Sequence, residues 1–305
     1  MQTVKQRISG TALTKRLENE LGIPSRLAYP LVRAVKIAAH PVQAWQRKQA
    51  LGGLAPAEPT AAEDTLERDG YRIVGPGELP GLDEVVARCQ ALVEEGRESR
   101  QRSAYQRNPN KDFLLSVVAG DEFCRYPELI RFMVSRPIVA TAARYLGAVP
   151  LLAAANLWWS PPNETQLSSQ RYHIDKEDRR QLKLLVNVTD TDGEQGPFTF
   201  LPASLSEVVQ GAQRRPKRHL ADEALDAVGV GDGALRLVGP AGSAAFVDTS
   251  RCLHHGSRGN TRDRFVLQLQ FLRFDSPLET PLPFRPQRDL GFAPDRVQRL
   301  ALGLV

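Results

Sequence analysis

The chain has 305 residues, 42% hydrophobic and 25% charged, the composition of an ordinary folded globular protein. No run of 18 apolar residues occurs, so no membrane-spanning helix is expected. The net charge of +5 is uneven: residues 1–50 hold nine Lys or Arg against Glu18 and Glu20, which makes that segment +7 and the remainder −2.

No aromatic ladder interleaves the basic residues and no nucleic-acid motif is present, so nucleic acid is excluded as a partner. The leader reads either as a solvated helical appendage or as a segment suited to an anionic membrane surface. Cys89, Cys124 and Cys252 are widely spaced and form no CxxC. They read as reduced thiols rather than as a disulfide framework or a zinc ribbon. With no compact apolar signal at the start, the expected location is the cytoplasm.

Residues 12–50 read as helices broken at Pro24, Pro30 and Pro41, followed by a linker over 52–64. Tyr71, Ile73 and Val74 suggest a short strand. Leu82, Val85, Val86, Cys89 and Leu92 recur at helical spacing and predict an amphipathic helix over 82–98. Residues 112–118 and 126–147 read as mostly helical, the latter ending at Gly147. Beyond it the texture changes. Residues 149–160, 182–190, 197–204, 234–238, 243–248 and 264–274 read as short strands separated by Gly, Pro, Asp and Asn clusters. Strands without long intervening helices predict an antiparallel sandwich or barrel. The fold class is therefore α+β, with N-terminal and flanking helices around a double-stranded β-helix of the jelly-roll or cupin-like kind. The expected division is a basic leader and linker over 1–62, a domain over 63–277 with its jelly-roll core at 149–274, and a tail over 278–305. Residues 1–50 are expected to be dispensable for the chemistry.

His173 and Asp175 stand two positions apart in "RYHIDKEDRR". Five histidines and 35 acids in 305 residues give about 0.6 such pairs by chance, so the pair means little alone. On a strand, however, residues i and i+2 share a face. A third ligand could come from "DTSRCLHHGSRGNTRDRFVLQLQF", where His254 and His255 precede a glycine turn and a strand opening at Arg264. Two histidines and one carboxylate make the facial triad of non-haem Fe(II) oxygenases, with open positions for a co-substrate and O2. His254 and His255 cannot both face inward on one strand.

Residues 171–273 resemble the phytanoyl-CoA dioxygenase family of Fe(II)/2-oxoglutarate oxygenases. The likeness rests on His173-Ile174-Asp175, on "LVNVTD" ending at Asp190, on "GPFTFLPAS" at 196–204, on "HGSRGN" at 255–260, and on Arg264. "LERDGYRIV" resembles that family's N-terminal start, so coverage is roughly 65–275. The chain departs from the family at Leu205, where a histidine is usual. The resemblance implies Fe(II), 2-oxoglutarate as co-substrate and O2, with His173, Asp175 and His255 as metal ligands. His255 is taken over His254 because it stands directly before Gly-Ser; His254 then becomes a packing residue. Arg264 would hold the distal carboxylate of 2-oxoglutarate, with Arg258 and Arg262 competing for the match. Lys183 and Asn187, on one face of the strand after the His-x-Asp, could reach the co-substrate or substrate. Trp158 and Trp159 read as core, with at most one ring facing the site. His40 and His219 have no partner pattern. Asp175 favours hydroxylation over halogenation, since in the related halogenases a small residue replaces the ligand carboxylate. The implied activity is hydroxylation of a small metabolite or an acyl or conjugated substrate. The alternative is a catalytically silent cupin-like binding protein.

Overall fold

The computed structural model describes residues 9–54, 61–99, 113–213, 217–278, 282–284 and 289–304. Residues 55–60 of the expected linker, and Lys5 and Arg7 of the basic leader, lie outside that set. The strands are β1 (Tyr71–Val74), β2 (Leu115–Ala119), β3 (Leu151–Ser160), β4 (Leu182–Asn187), β5 (Thr199–Phe200), β6 (Leu235–Arg236), β7 (Ala244–Val247), β8 (His254–His255) and β9 (Arg264–Leu272). They form an antiparallel six-stranded sheet ordered β1-β7-β4-β9-β3-β2 and a three-stranded sheet ordered β6-β5-β8.

The period of two along β9 sorts the two faces of the large sheet. Phe265, Leu267, Leu269 and Phe271 point to one side and are buried in the main apolar cluster. That cluster is completed by the helices α5 (Leu82–Ser99), α6 (Pro127–Met133) and α7 (Arg136–Leu146). Leu82, Val85, Val86, Cys89 and Leu92 are all buried there, as their spacing predicted. α7 stops at Gly147, whose φ of 76° is the left-handed cap that ends a helix without a Cβ penalty. The opposite face of the large sheet carries Val266, Leu185, Ala245 and Val247, which pack against Phe200 from the small sheet and Phe198 just before it. The two sheets thus enclose a second, smaller apolar cluster, and the site lies on that inner face.

Three local expectations fail. Residues 113–118 are not helical: Leu115–Ala119 forms β2, paired with β3. The β-branched Val117 and Val118 fit a pleated edge, and tertiary pairing overrides the weak local signal. The strand expected over 197–204 is only Thr199–Phe200, because Pro202 opens the helix α8 (Ala203–Gly211). Pro30 does not break its helix.

The leader helices are α1 (Gly10–Lys15), α2 (Ser25–Ala39) and α3 (Pro41–Gly52), followed by α4 (Ala61–Asp69). Pro24 and Pro41 do mark helix starts, but Pro30 sits inside α2. Proline removes the donor to the carbonyl four residues back, and that carbonyl, Arg26 O, instead faces the Arg179 guanidinium at 3.5 Å.

The leader is also not separate in its packing. Arg47 is fully buried and donates to the carbonyls of Val149, Pro150 and Leu300. Arg33 pairs with Asp178 at 2.7 Å, Lys36 donates to Ser276 O, and the Tyr29 hydroxyl donates to Lys176 O. The expected tail joins the core as well: after α9 (Glu223–Asp226), the last helix α10 (Arg296–Ala301) buries Leu300, Ala301 and Leu302. No described helix is long and apolar enough to cross a membrane.

Candidate metal centre

His173 and His254 meet because their backbones do. Each donates its N–H to the other's carbonyl, at 3.0 and 3.1 Å, in an antiparallel bridge. Residues directly opposite in such a pair put their side chains on one side. The His-x-Asp segment is not a continuous strand. It is held by bridges at Tyr172 and His173 and by Asp175 N–H donating to Thr249 O at 2.9 Å. The two-residue spacing still aims Asp175 at the same point.

The outcome is a cluster of His173, Asp175 and His254 whose ligand atoms all lie within 4.8 Å of one another. Asp175 Oδ1 is 3.7 Å from His173 Nε2, and Oδ2 is 3.7 Å from His254 Nε2. Each ring nitrogen Nδ1 faces a carbonyl: Arg171 O at 2.9 Å for His173 and Cys252 O at 3.0 Å for His254. A carbonyl can only accept, so Nδ1 carries the proton in both rings and the Nε2 lone pair is left free.

Electrostatics agree with neutral imidazoles beside an ionised carboxylate. Burial pushes His254 down to about 3, helped by the neighbouring His173 and opposed by Asp175. Burial lowers His173 too, against the pull of Asp175. Burial alone would raise Asp175; Lys183, His254 and His173 overcome it and hold the carboxyl well below the usual carboxylate range. Lys183, expected at the co-substrate, instead donates to Asp175 Oδ2 at 2.5 Å.

His255, the expected distal ligand, is not in the cluster. In the small sheet His254 is opposite Phe200 and His255 opposite Thr199. Phe200 is fully buried in the inner cluster, so its partner His254 faces inward too. His255 turns the other way, packs edge-on against Tyr172 with ring centroids 4.8 Å apart, and donates Nδ1–H to Gly256 O. Burial, then the Arg258 charge, lowers it to about 4. His219, given no role by the sequence, has its ring 5.8 Å from that of His173. The Leu220–Tyr172 bridge brings it there, a long-range pairing with no local signal.

Arg264 lies on the inner face of β9 and is 5% exposed. Its one hydrogen bond among the described residues is to Gly196 O at 3.2 Å, and its Nε has no partner. Burial lowers it to about 10 with no acid to compensate. The competing arginines are spoken for: Arg258 pairs with Asp222 and Arg262 with Glu194. Gly196 is suited to its place, with φ +62° and a Cβ position that would stand 3.0 Å from Arg258 O and Asn260 Cβ.

Other unsatisfied donors share this face. Ser160 is opposite Arg264, Trp158 is opposite Val266, and Ser116 is opposite Trp158. Ser160 Oγ, Trp158 Nε1 and Ser116 Oγ are all buried without a hydrogen-bond partner among the described residues. Trp159 points the other way and stacks on Phe265 at 6.3 Å. Asn187 is engaged, donating to Leu237 O at 3.1 Å. A row of buried donors around an uncompensated guanidinium is what an anion with several acceptors would satisfy.

No protein-family model matches the sequence, and no curated protein does. Among solved structures, the chain is similar to iron-bound EctD from S. alaskensis, with a TM-score of 0.51 and 16% identity, covering 77% of this chain and 84% of that one. The apo form of EctD gives 0.51 and 15% identity, covering 74% and 82%. SnoK, a non-haem alpha-ketoglutarate-dependent carbocyclase from nogalamycin biosynthesis, gives 0.47 and 20% identity over 71% and 85%. The likeness to EctD is one of fold.

Proposed function

We propose that this protein is a non-haem Fe(II)- and 2-oxoglutarate-dependent oxygenase of the phytanoyl-CoA dioxygenase kind, built on a jelly-roll core, that hydroxylates a C–H bond of a small metabolite or an acyl or conjugated substrate. The observation that carries the reading is the inward cluster of His173, Asp175 and His254, with both Nε2 lone pairs free. This donor set of two imidazoles and a carboxylate suits iron, with positions left for a bidentate ligand and O2. The fold shared with EctD, solved with iron bound, supports it.

His173, Asp175 and His254 would hold the metal, and Arg264 the distal carboxylate of 2-oxoglutarate. When bound, that pair supplies O2 activation coupled to decarboxylation of the co-substrate to succinate. The chain's own residues prepare the site. The carbonyls of Arg171 and Cys252 fix the tautomer and tilt of the two rings. Lys183 keeps Asp175 ionised and leaves Oδ1 as the oxygen free of it. Leu185, Val266 and Phe198 exclude water between the sheets. The unpaired Arg264 would regain on binding the ionic partner that it lacks. Because Asp175 occupies the carboxylate position, hydroxylation is favoured over halide transfer.

The test is a panel of candidate substrates incubated with protein, Fe(II), 2-oxoglutarate and air, followed by mass spectrometry for succinate and a product heavier by one oxygen. Fe(II)-dependent succinate, abolished in Asp175→Ala, is the expected result. No succinate with any member of the panel, together with no Fe(II) binding, would leave only the silent binding protein.

A further inference from the structure

The leader helix α2 has two apolar faces, and only one is used. At about 100° per residue, Ala28, Tyr29, Val32 and Lys36 fall on the side that meets the body, and all four are buried. Leu27 and Leu31 lie on the other side and are exposed, at 56% and 52%, and Val35, at the border between the two sides, is exposed as well. Ala34 and Ala38 flank Leu27 on that side and are exposed too. The next helix, α3, adds Val42 at 66% and Trp45 at 57% exposure. Solitary exposed apolar residues are ordinary, but this run of large ones on consecutive elements is not.

The charges sort in the same way. The cations facing the body are committed: Arg33 to Asp178, Lys36 to Ser276 O, and Arg47 to three carbonyls. Lys15, Arg26 and Lys48 are exposed and have no ionic partner among the described residues. Glu20, the exposed acid of the described leader, is paired with Arg16 at 3.4 Å. Exposed Leu, Val and Trp beside unpaired Lys and Arg is the chemistry of an interfacial helix, whose apolar side enters the acyl boundary while its cations meet anionic headgroups.

We propose that the outer face of α2 and α3 is a docking surface for an anionic lipid bilayer, which it meets without crossing. The body-facing side of α2 holds the catalytic domain in place while the outer side rests on the membrane. This surface stands independently of the metal centre and of the reaction assigned to it.

Trp45 supplies the probe. The full-length protein is titrated with vesicles of phosphatidylcholine containing phosphatidylglycerol, and with vesicles of phosphatidylcholine alone. Tryptophan emission and co-sedimentation are both read. The expected result is a blue shift and co-sedimentation with the anionic vesicles, weakened by salt and absent with the neutral ones. Trp45→Phe should remove the shift without removing sedimentation. Leu27→Glu with Leu31→Glu should lower the partition coefficient by about tenfold or more. These positions are exposed, so the double variant should keep the parent melting temperature, and that is checked first. The proposal is overturned if the parent does not sediment with anionic vesicles, or if the double variant sediments equally well. It is overturned too if the parent is a dimer by sedimentation equilibrium that the double variant converts to monomer, since the face would then join two copies of this chain.

Discussion

Adjacent residues on a strand face opposite ways, and this alone separates His254 from His255. The sequence could say that only one of them turns inward, but not which one. The choice depends on register with β5, where His254 lies across from Phe200. The resemblance to a His-Gly-Ser motif pointed to His255, whereas the cluster that the fold brings together contains His254. By contrast, the common direction of His173 and Asp175 was legible, since a two-residue spacing fixes it from local geometry. The inward placement of Arg264 was legible for the same reason: it shares the alternation of Val266, Gln268 and Gln270. Its solitude was not, because which arginines find acids is decided by loops distant in sequence. Arg264→Ala is expected to weaken 2-oxoglutarate binding at least about a hundredfold, in keeping with the roughly 3–5 kcal/mol for losing one partner of a buried charge pair. Arg264→Lys should rescue this only in part, since the planar fork is lost. Calorimetric titration decides, and an unchanged affinity in Arg264→Ala with loss in Arg258→Ala would move the role.

The same buried imidazoles set a pH dependence. Folded His254 and His255 take up protons only near about 3 and about 4, whereas the unfolded chain does so below about 6.5. Between those values the unfolded state binds more protons, so stability falls as pH is lowered. The metal-free protein should therefore melt at progressively lower temperature from pH 7 to pH 4, and His255→Asn should flatten part of that slope. A melting temperature that does not change over this range would contradict the burial of both rings.

At the scale of elements, helices with a full apolar stripe and strands with strict alternation were readable. α5 and β9 lie where their periods put them. β2 was not readable, because an edge strand gains its hydrogen bonds from a partner about forty positions away. The packing of the leader was hidden for a related reason. Composition marked it as basic and linker-bounded, but its fixed points are single buried side chains that meet carbonyls far along the chain. Arg47→Ala should cost about 3 kcal/mol, since three carbonyls lose their donor in a dry site. Differential scanning calorimetry should show a fall of roughly 5 °C. A chain starting at Glu63 should be insoluble or melt far below the parent. If it keeps the parent's melting temperature, the leader is the separable appendage that its composition suggested.

For the whole molecule, the sequence conveyed the mixing of helices with an antiparallel sheet, the helices-first order and the residue types of the candidate site. The closure of the site came from pairings that no local pattern encodes: His173 with His254, Tyr172 with Leu220, and the small sheet over the large one. The inner face between those sheets holds the free imidazole nitrogens at one place and the buried, unpaired guanidinium of Arg264 at another, and the central claim is that one iron and one 2-oxoglutarate join them. The most direct measurement is anaerobic titration of the protein with Fe(II) in the presence of 2-oxoglutarate, read as the weak visible charge-transfer band and as bound metal per chain. The expected result is one iron per chain and the band in the parent protein and in His255→Ala, with both lost in His254→Ala. Retention of metal and band in His254→Ala, with their loss in His255→Ala, would contradict the geometry described for this site.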